Sequence, residues 1–298
     1  MTKKSFKANG KLMLFGEYVV LKGVPCLAFP LRYGQTLDVL PISDDGILWE
    51  AFEIDNCWLE IRFSSELEIL STSDKEKAVK IQEILKLIKC LKPDIKLNHL
   101  SFVFHVDFDR KFGFGTSSTL ISLLSDWSGI DPYLLLEKSF GGSGYDVAAA
   151  KEKQPFFYSV DNKVEGTWTM SDNIGNNLLF IYLGNKQKSS ESVAKFNLQD
   201  ITPKQIYFMN FILEKVLECS EIEEWEELMA KSEYMIGKIL NEVPVKEQYF
   251  SDYPYEIKSM GAWGGDFIMA TYRNLSEAKA YFSVKGYHVY YTMNELKY

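Results

Sequence analysis

The sequence is poor in histidine. Only His99, His105 and His288 occur in 298 residues, and they lie far apart. No HExxH pair or His/Cys cluster is formed, so a zinc centre has no ligand set. His105 and His288 fall in strand-like runs and read as structural. The four cysteines, Cys26, Cys57, Cys90 and Cys219, are equally scattered, with no CxxC pair. Such spacing excludes a disulfide framework and suits reduced thiols in a cytoplasmic protein. No stretch approaches the roughly 18–20 apolar residues of a membrane span. The opening MTKKSFKANGK has no apolar run behind its lysines, so no signal peptide is expected. Basic residues are outnumbered, 33 Lys and Arg against 41 Asp and Glu, for a net charge of -8. General nucleic-acid binding depends on neutralising phosphates and is excluded on that balance. A small anionic ligand is not excluded, because it responds to a local field. Solenoid repeats and low-complexity tracts are absent.

What is present is an ordinary globular composition, 46% hydrophobic, on a chain long enough for two domains. The spacing predicts two short strands in residues 6–22, LMLF and VVL, on either side of Gly16 and Glu17. Further strands follow in QTLDVLPI, GILWEAF and CWLEIRF. Apolar residues at helical spacing predict a helix over 75–91, stopped by Pro93. SFVFHVDF, 101–108, reads as a strand. After 155 the pattern returns to strands, PFFYSV, GTWTM and LLFIYLG, with SDNIGNN near 172 as the linker between domains. Helices are predicted from Pro203 to 218 and over 222–241, then a glycine-rich turn before FIMATY, a helix over 276–286 and a last strand, HVYYT. The acids of 221–227 suit the first turns of their helix and are read that way rather than as a metal site. The second half is therefore an α+β layer on an antiparallel sheet.

The stretch from Lys111 to Ala150 resists explanation by packing alone. In KFGFGTSSTL, Gly113 and Gly115 precede Thr116, Ser117 and Ser118. An apolar face follows at Leu120, Leu123, Leu124 and Trp127, so the hydroxyls stand at a helix N-terminus. There the first N–H groups lack intrahelical partners and the dipole favours an anion. The plainer alternative is an ordinary cap, for which Thr and Ser are suited. A short helix follows over 130–140, carrying Glu137. Then GGSGYDVAAA sets Asp146 among small residues. It reads either as a capping acid or as a catalytic carboxylate. A third glycine cluster, SMGAWGGDF, lies at 259–267. The Walker A pattern, a complete GxGxxG and the HRD and DFG signatures are all missing.

Taken in order, the motifs resemble those of the GHMP kinase superfamily. GKLMLFGEYVVLKG, 10–23, is similar to its first motif, and KFGFGTSSTL, 111–120, to its phosphate loop. SGYDVAAA, 143–150, resembles the segment carrying the catalytic aspartate, and SMGAWGGDF, 259–267, the third, glycine-rich motif. The phrase GGSGYDVA further resembles a bacterial subgroup known as the "GYDIA family" of GHMP kinases. The resemblance runs from residue 10 to residue 267. It implies an α+β fold of two domains. Residues 1–172 would be like domain 2 of ribosomal protein S5, residues 173–298 would be ferredoxin-like, and the active site would lie in a cleft.

The resemblance also implies roles. Gly113, Gly115, Thr116, Ser117 and Ser118 would hold the phosphates of ATP, with Gly261, Gly264 and Gly265 supporting them. Ser117 and Glu137 would be Mg²⁺ ligands, Asp146 the base and Lys11 its partner at the acceptor hydroxyl. Ser189 and Ser190 fall in the family's serine/threonine position after the cleft. The sequence departs from the family pattern at Asn9, where proline is usual, at Thr116 and at the short interval between phosphate loop and Asp146. Tyr18 and Asp266 incline the acceptor towards phosphomevalonate before mevalonate. Lys186, Lys188 and Arg110 are candidates for an acceptor phosphate, although Arg110 also reads as surface charge. The partners implied are therefore ATP, Mg²⁺ and a small molecule, for a monomer or homodimer. The alternatives are a diphosphomevalonate decarboxylase and a catalytically silent nucleotide-binding relative.

Overall fold

The structure is a computed structural model and describes residues 2–184, 196, 200–263 and 266–298. The chain forms two compact units interleaved in sequence. One comprises Met1–Gly10, Tyr33–Arg110 and Phe114–Lys151; the other comprises Lys11–Arg32, Lys111–Gly113 and Glu152–Tyr298. The interleaving follows from two long strands, β1 (Lys4–Phe15) and β2 (Cys26–Pro41), each of which contributes residues to both units.

In the first unit the strand order is β5-β4-β3-β6-β2, with β3 (Ile47–Glu53), β4 (Asn56–Phe63), β5 (Ile69–Thr72) and β6 (Leu100–Val106). β3 and β6 run parallel, from Ile47 opposite Leu100 to Glu53 opposite Val106. Alternation fixes which side is buried. Ile47, Trp49 and Ala51 share one face of β3 with Leu100, Phe102 and Phe104 of β6. Trp49 stacks at 4.5 Å on Phe104 and 5.6 Å on Phe102. α1 (Lys75–Leu91) adds Ala78, Ile81, Ile84, Leu85 and Ile88 to this core. Asp74 caps α1 by accepting from the Lys77 N–H at 3.1 Å. α2 (Thr116–Ser128) adds Ile121 and Leu124, and α3 (Pro132–Glu137) and α4 (Tyr145–Ala149) add Leu135 and Val147.

In the second unit, β9 (Leu178–Tyr182), β10 (Ile257–Ser259), β11 (Phe267–Thr271) and β12 (Tyr290–Thr292) form an antiparallel sheet in the order β10-β11-β9-β12. β7 (Phe156–Ser159) and β8 (Lys163–Thr167) form a hairpin, and Tyr158 of β7 stands opposite Cys26 of β2. α6 (Pro203–Glu218) begins in a capping box between Thr202 and Gln205, with Pro203 at its first turn. α7 (Ile222–Leu240) packs Ile236, Ile239 and Leu240 with Met209 of α6 and with Tyr18, Val19 and Trp263. No helix among the described residues is long and apolar enough to cross a membrane.

Two local expectations are corrected. VVL is not a strand: Val19–Lys22 is a 3₁₀ turn. Gly16 (φ 95°), Tyr18 (φ 61°) and Gly23 (φ 86°) adopt left-handed backbone within eight residues and break the extended path. SDNIGNN is not an open linker. It folds as α5 (Asp172–Gly175), capped by Ser171 accepting from Ile174 N–H, with Ile174 fully buried.

Candidate active site

The phosphate-loop candidate is built from two left-handed glycines and a helix without a side-chain cap. Arg110–Phe112 is a single 3₁₀ turn, Gly113 has φ 68° and Gly115 has φ 96°. Gly115 is the N-cap of α2 and makes no side-chain cap hydrogen bond. The predicted alternative of a hydroxyl cap is therefore not what forms. Ser117 is exposed and Thr116 half-buried, while Ser118 is buried and its hydroxyl donates to Gly115 O at 2.8 Å. Thr119 donates to Gln35 Oε1 at 2.8 Å and so ties α2 to β2 within the first unit. The start of α2 thus presents backbone N–H groups and one exposed hydroxyl, the arrangement that suits an anion.

Gly113 is held from two sides within the second unit. Lys11 Nζ donates to its carbonyl oxygen at 2.9 Å. The Asp266 carboxylate occupies the place of a side chain: a Cβ on Gly113 would meet Asp266 Oδ2 at 2.0 Å. The chain just before Gly113 is seated among aromatics, with Phe112 edge-on to Tyr182 at 4.9 Å and to Phe267 at 5.7 Å. The Tyr182 hydroxyl donates to Lys111 O at 3.3 Å.

Arg110 has another occupation than an acceptor phosphate. Its Nε and its backbone N–H donate to the two oxygens of Glu53, at 3.0 Å and 3.1 Å, and its guanidinium lies 3.6 Å above the Trp58 ring. That clamp anchors the approach to the loop.

Asp146 stands in the first turn of α4, behind Gly144 as N-cap, half-buried, with Oδ1 accepting from Val147 N–H at 3.1 Å. It is not the capping residue; left-handed Gly144 (φ 88°) is. α4 is tied to β1 by Asn9 N–H donating to Ala150 O at 3.0 Å. Glu137 is the exposed last residue of α3. Among the described residues no group of three or more His, Cys, Asp and Glu is arranged to hold a metal ion. Exposed oxygens such as Ser117 and Glu137 fit Mg²⁺ in one respect, because that ion is commonly held by one or two protein oxygens with phosphate and water.

Of the third glycine cluster, Gly261 is exposed with φ 60°, and Trp263 is buried with φ 43°. Gly264 and Gly265 lie outside the described residues, as do Lys186, Lys188, Ser189 and Ser190. Behind this cluster is a buried polar network that sequence reading missed. Lys258 is fully buried, pairs with the buried Glu17 of the first motif and donates to Ser259 O at 3.0 Å. Ser259 Oγ donates to buried Glu233 Oε1 at 2.7 Å. Burial pushes the Glu17 carboxyl up, with Lys258 pulling it back, and pushes Glu233 up to about 7. One signal was available: Glu233 recurs at helical spacing with Met229, Ile236 and Leu240, a carboxylate on an otherwise apolar face.

No protein-family model matches the chain, and no curated protein matches it. Solved structures do. The chain is similar to the mevalonate kinase of Methanococcus jannaschii at 14% identity over 97% of both chains, with a TM-score of 0.67. It is similar to the phosphomevalonate kinase of Streptococcus pneumoniae, solved in complex with phosphomevalonate and AMPPNP, at 18% identity, covering 98% of this chain and 100% of that one, with a TM-score of 0.66. The galactokinase of Lactococcus lactis, solved with galactose, matches at 12% identity over 97% and 92% of the two chains, with a TM-score of 0.68. The chain shares the fold of these three kinases, the fold that the resemblance of its glycine-bearing motifs implies.

Proposed function

We propose that the chain is an ATP- and Mg²⁺-dependent small-molecule kinase acting on a mevalonate-pathway acceptor, phosphomevalonate first and mevalonate second. Its family domains are taken as residues 1–172 and 173–298. The observation that carries this reading is the start of α2, whose N-cap is a glycine with no side chain to offer its N–H groups, next to a glycine whose carbonyl is held by Lys11. Phosphoryl transfer asks a protein for positioning and charge stabilisation more than for covalent chemistry. The amides of 113–118 would hold the ATP phosphates, supported by Gly261, Gly264 and Gly265. Ser117 and Glu137 would hold Mg²⁺, which when bound neutralises charge on the phosphates. Asp146 would accept the proton from the acceptor oxygen as that oxygen bonds to the γ-phosphorus and the bond to the β-phosphate oxygen breaks, leaving ADP. Lys11 would favour the developing alkoxide or phosphate oxyanion.

The names of the similar structures support this acceptor class, since one was solved with phosphomevalonate and an ATP analogue. The experiment is an acceptor panel with ATP and Mg²⁺, following ADP and the phosphorylated product. Transfer to phosphomevalonate or mevalonate is expected. Release of CO₂ from the diphosphate substrate would replace the kinase by a decarboxylase. ATP binding without transfer to any acceptor would leave a silent relative.

A further inference from the structure

The segment 260–263 that leaves β10 is tightly specified. Gly261 and Trp263 both take left-handed backbone, and a non-glycine residue there needs outside support. Tyr18, Val19 and Met209 share the core around Trp263, and the polar and closest contacts come from one helix. α7 places Glu233 against Ser259, whose hydroxyl it accepts at 2.7 Å. One turn later it places Gly237, where a Cβ would lie 3.0 Å from the Trp263 ring and 2.9 Å from Glu242 O. The indole of Trp263 is buried in the space that this missing side chain leaves. Lys258 adds a second tie, reaching back to Ser259 O from its pairing with Glu17.

We propose that α7 is the template for the turn begun by 260–263, and that Glu233, acting through Ser259, is its positioning residue. What the turn serves rests on the kinase reading, in which it backs the phosphate loop; that α7 shapes it does not.

The charges around Glu233 make the tie sensitive to pH. The groups facing it are Lys258 on β10, Ser259 on β10, and Glu17 just after β1. That is two buried carboxyls and one ammonium. Among the described residues, Glu17 Oε2 and Glu233 Oε2 both lack a hydrogen-bond partner. Lys258 is paired with Glu17, so it and Ser259 offset only part of the desolvation of a second buried carboxylate, and a neutral acid costs less there. Glu233 is accordingly a carboxylic acid at mildly acidic pH and ionises as pH rises through about 7. Ionised, it still accepts from Ser259, but the buried charge costs desolvation that opening of the segment relieves.

Hydrogen exchange of the amides of 260–263, corrected for intrinsic rates, tests this on the intact chain without nucleotide. Wild-type protection is expected to fall about tenfold between pH 6 and pH 8, the ratio reached one pH unit above such a midpoint. Glu233→Gln keeps the shape without the ionisation, so its protection is expected to hold at both pH values. Ser259→Ala, which removes only the hydroxyl tie, is expected to lose protection at both. The same pH profile in wild type and Glu233→Gln, or full protection in Ser259→Ala, overturns the proposal. Failure of phosphoryl transfer would overturn the kinase reading and leave this exchange result standing.

Discussion

A methyl group at position 113 has no room. It would enter the Asp266 carboxylate, and the left-handed backbone of Gly113 disfavours any side chain. Gly113→Ala is expected to destabilise the protein by about 1–3 kcal/mol in urea unfolding, part conformational strain and part collision. Adding Asp266→Ala removes the collision alone, so the double variant should be more stable than the sum of the two single effects. Strict additivity would show that Asp266 does not press on Gly113. At this scale the sequence reveals that glycines cluster and that an acid stands among small residues. It does not reveal their partners. Nothing near Asp266 points to Gly113, 153 positions away, and Arg110 looks like surface charge until Glu53 and Trp58 are seen around it.

Elements with strong ends and long periodicity are legible in advance. The helices over 75–91 and 203–218 match α1 and α6 because Asp74, Thr202 and Pro203 mark their starts and four or five turns repeat the apolar stripe. Thr202→Ala removes the side-chain arm of a capping box, leaving the Thr202 N–H still donating to Gln205 Oε1, and should cost about 1 kcal/mol, read from the urea midpoint at unchanged slope. An unchanged midpoint would mean that α6 is held by packing alone. Short apolar runs carry less information. VVL fits a strand or one helical turn equally well, and the left-handed residues around it decide the matter. Gly16 is the strictest of these: a Cβ there would meet Cys26 at 2.6 Å.

For the whole molecule, the interleaving of the two units was not legible, because β1 and β2 each read as ordinary strands and periodicity does not say which residues pack together. The buried network was equally hidden, since it joins positions 17, 233, 258 and 259. It has a consequence for stability. A carboxyl whose folded value is raised binds its proton more tightly when folded, so between about 4.5 and about 7 the native state holds more protons than the unfolded chain. Stability contributed by that proton is present below 4.5 and lost as pH rises towards 7. The Glu233 contribution lost over this window is on the order of 3 kcal/mol, and Glu233→Gln should flatten the corresponding fall in urea stability. Parallel pH profiles for wild type and variant would place the effect elsewhere.

The central claim is that the chain transfers the γ-phosphoryl group of ATP with Asp146 as base. It is tested most directly by comparing wild type with Asp146→Asn, measuring phosphoryl transfer to phosphomevalonate alongside nucleotide affinity. Transfer is predicted to fall by about 100- to 10,000-fold in the variant while affinity for ATP is retained. Near-normal transfer by Asp146→Asn would contradict the account.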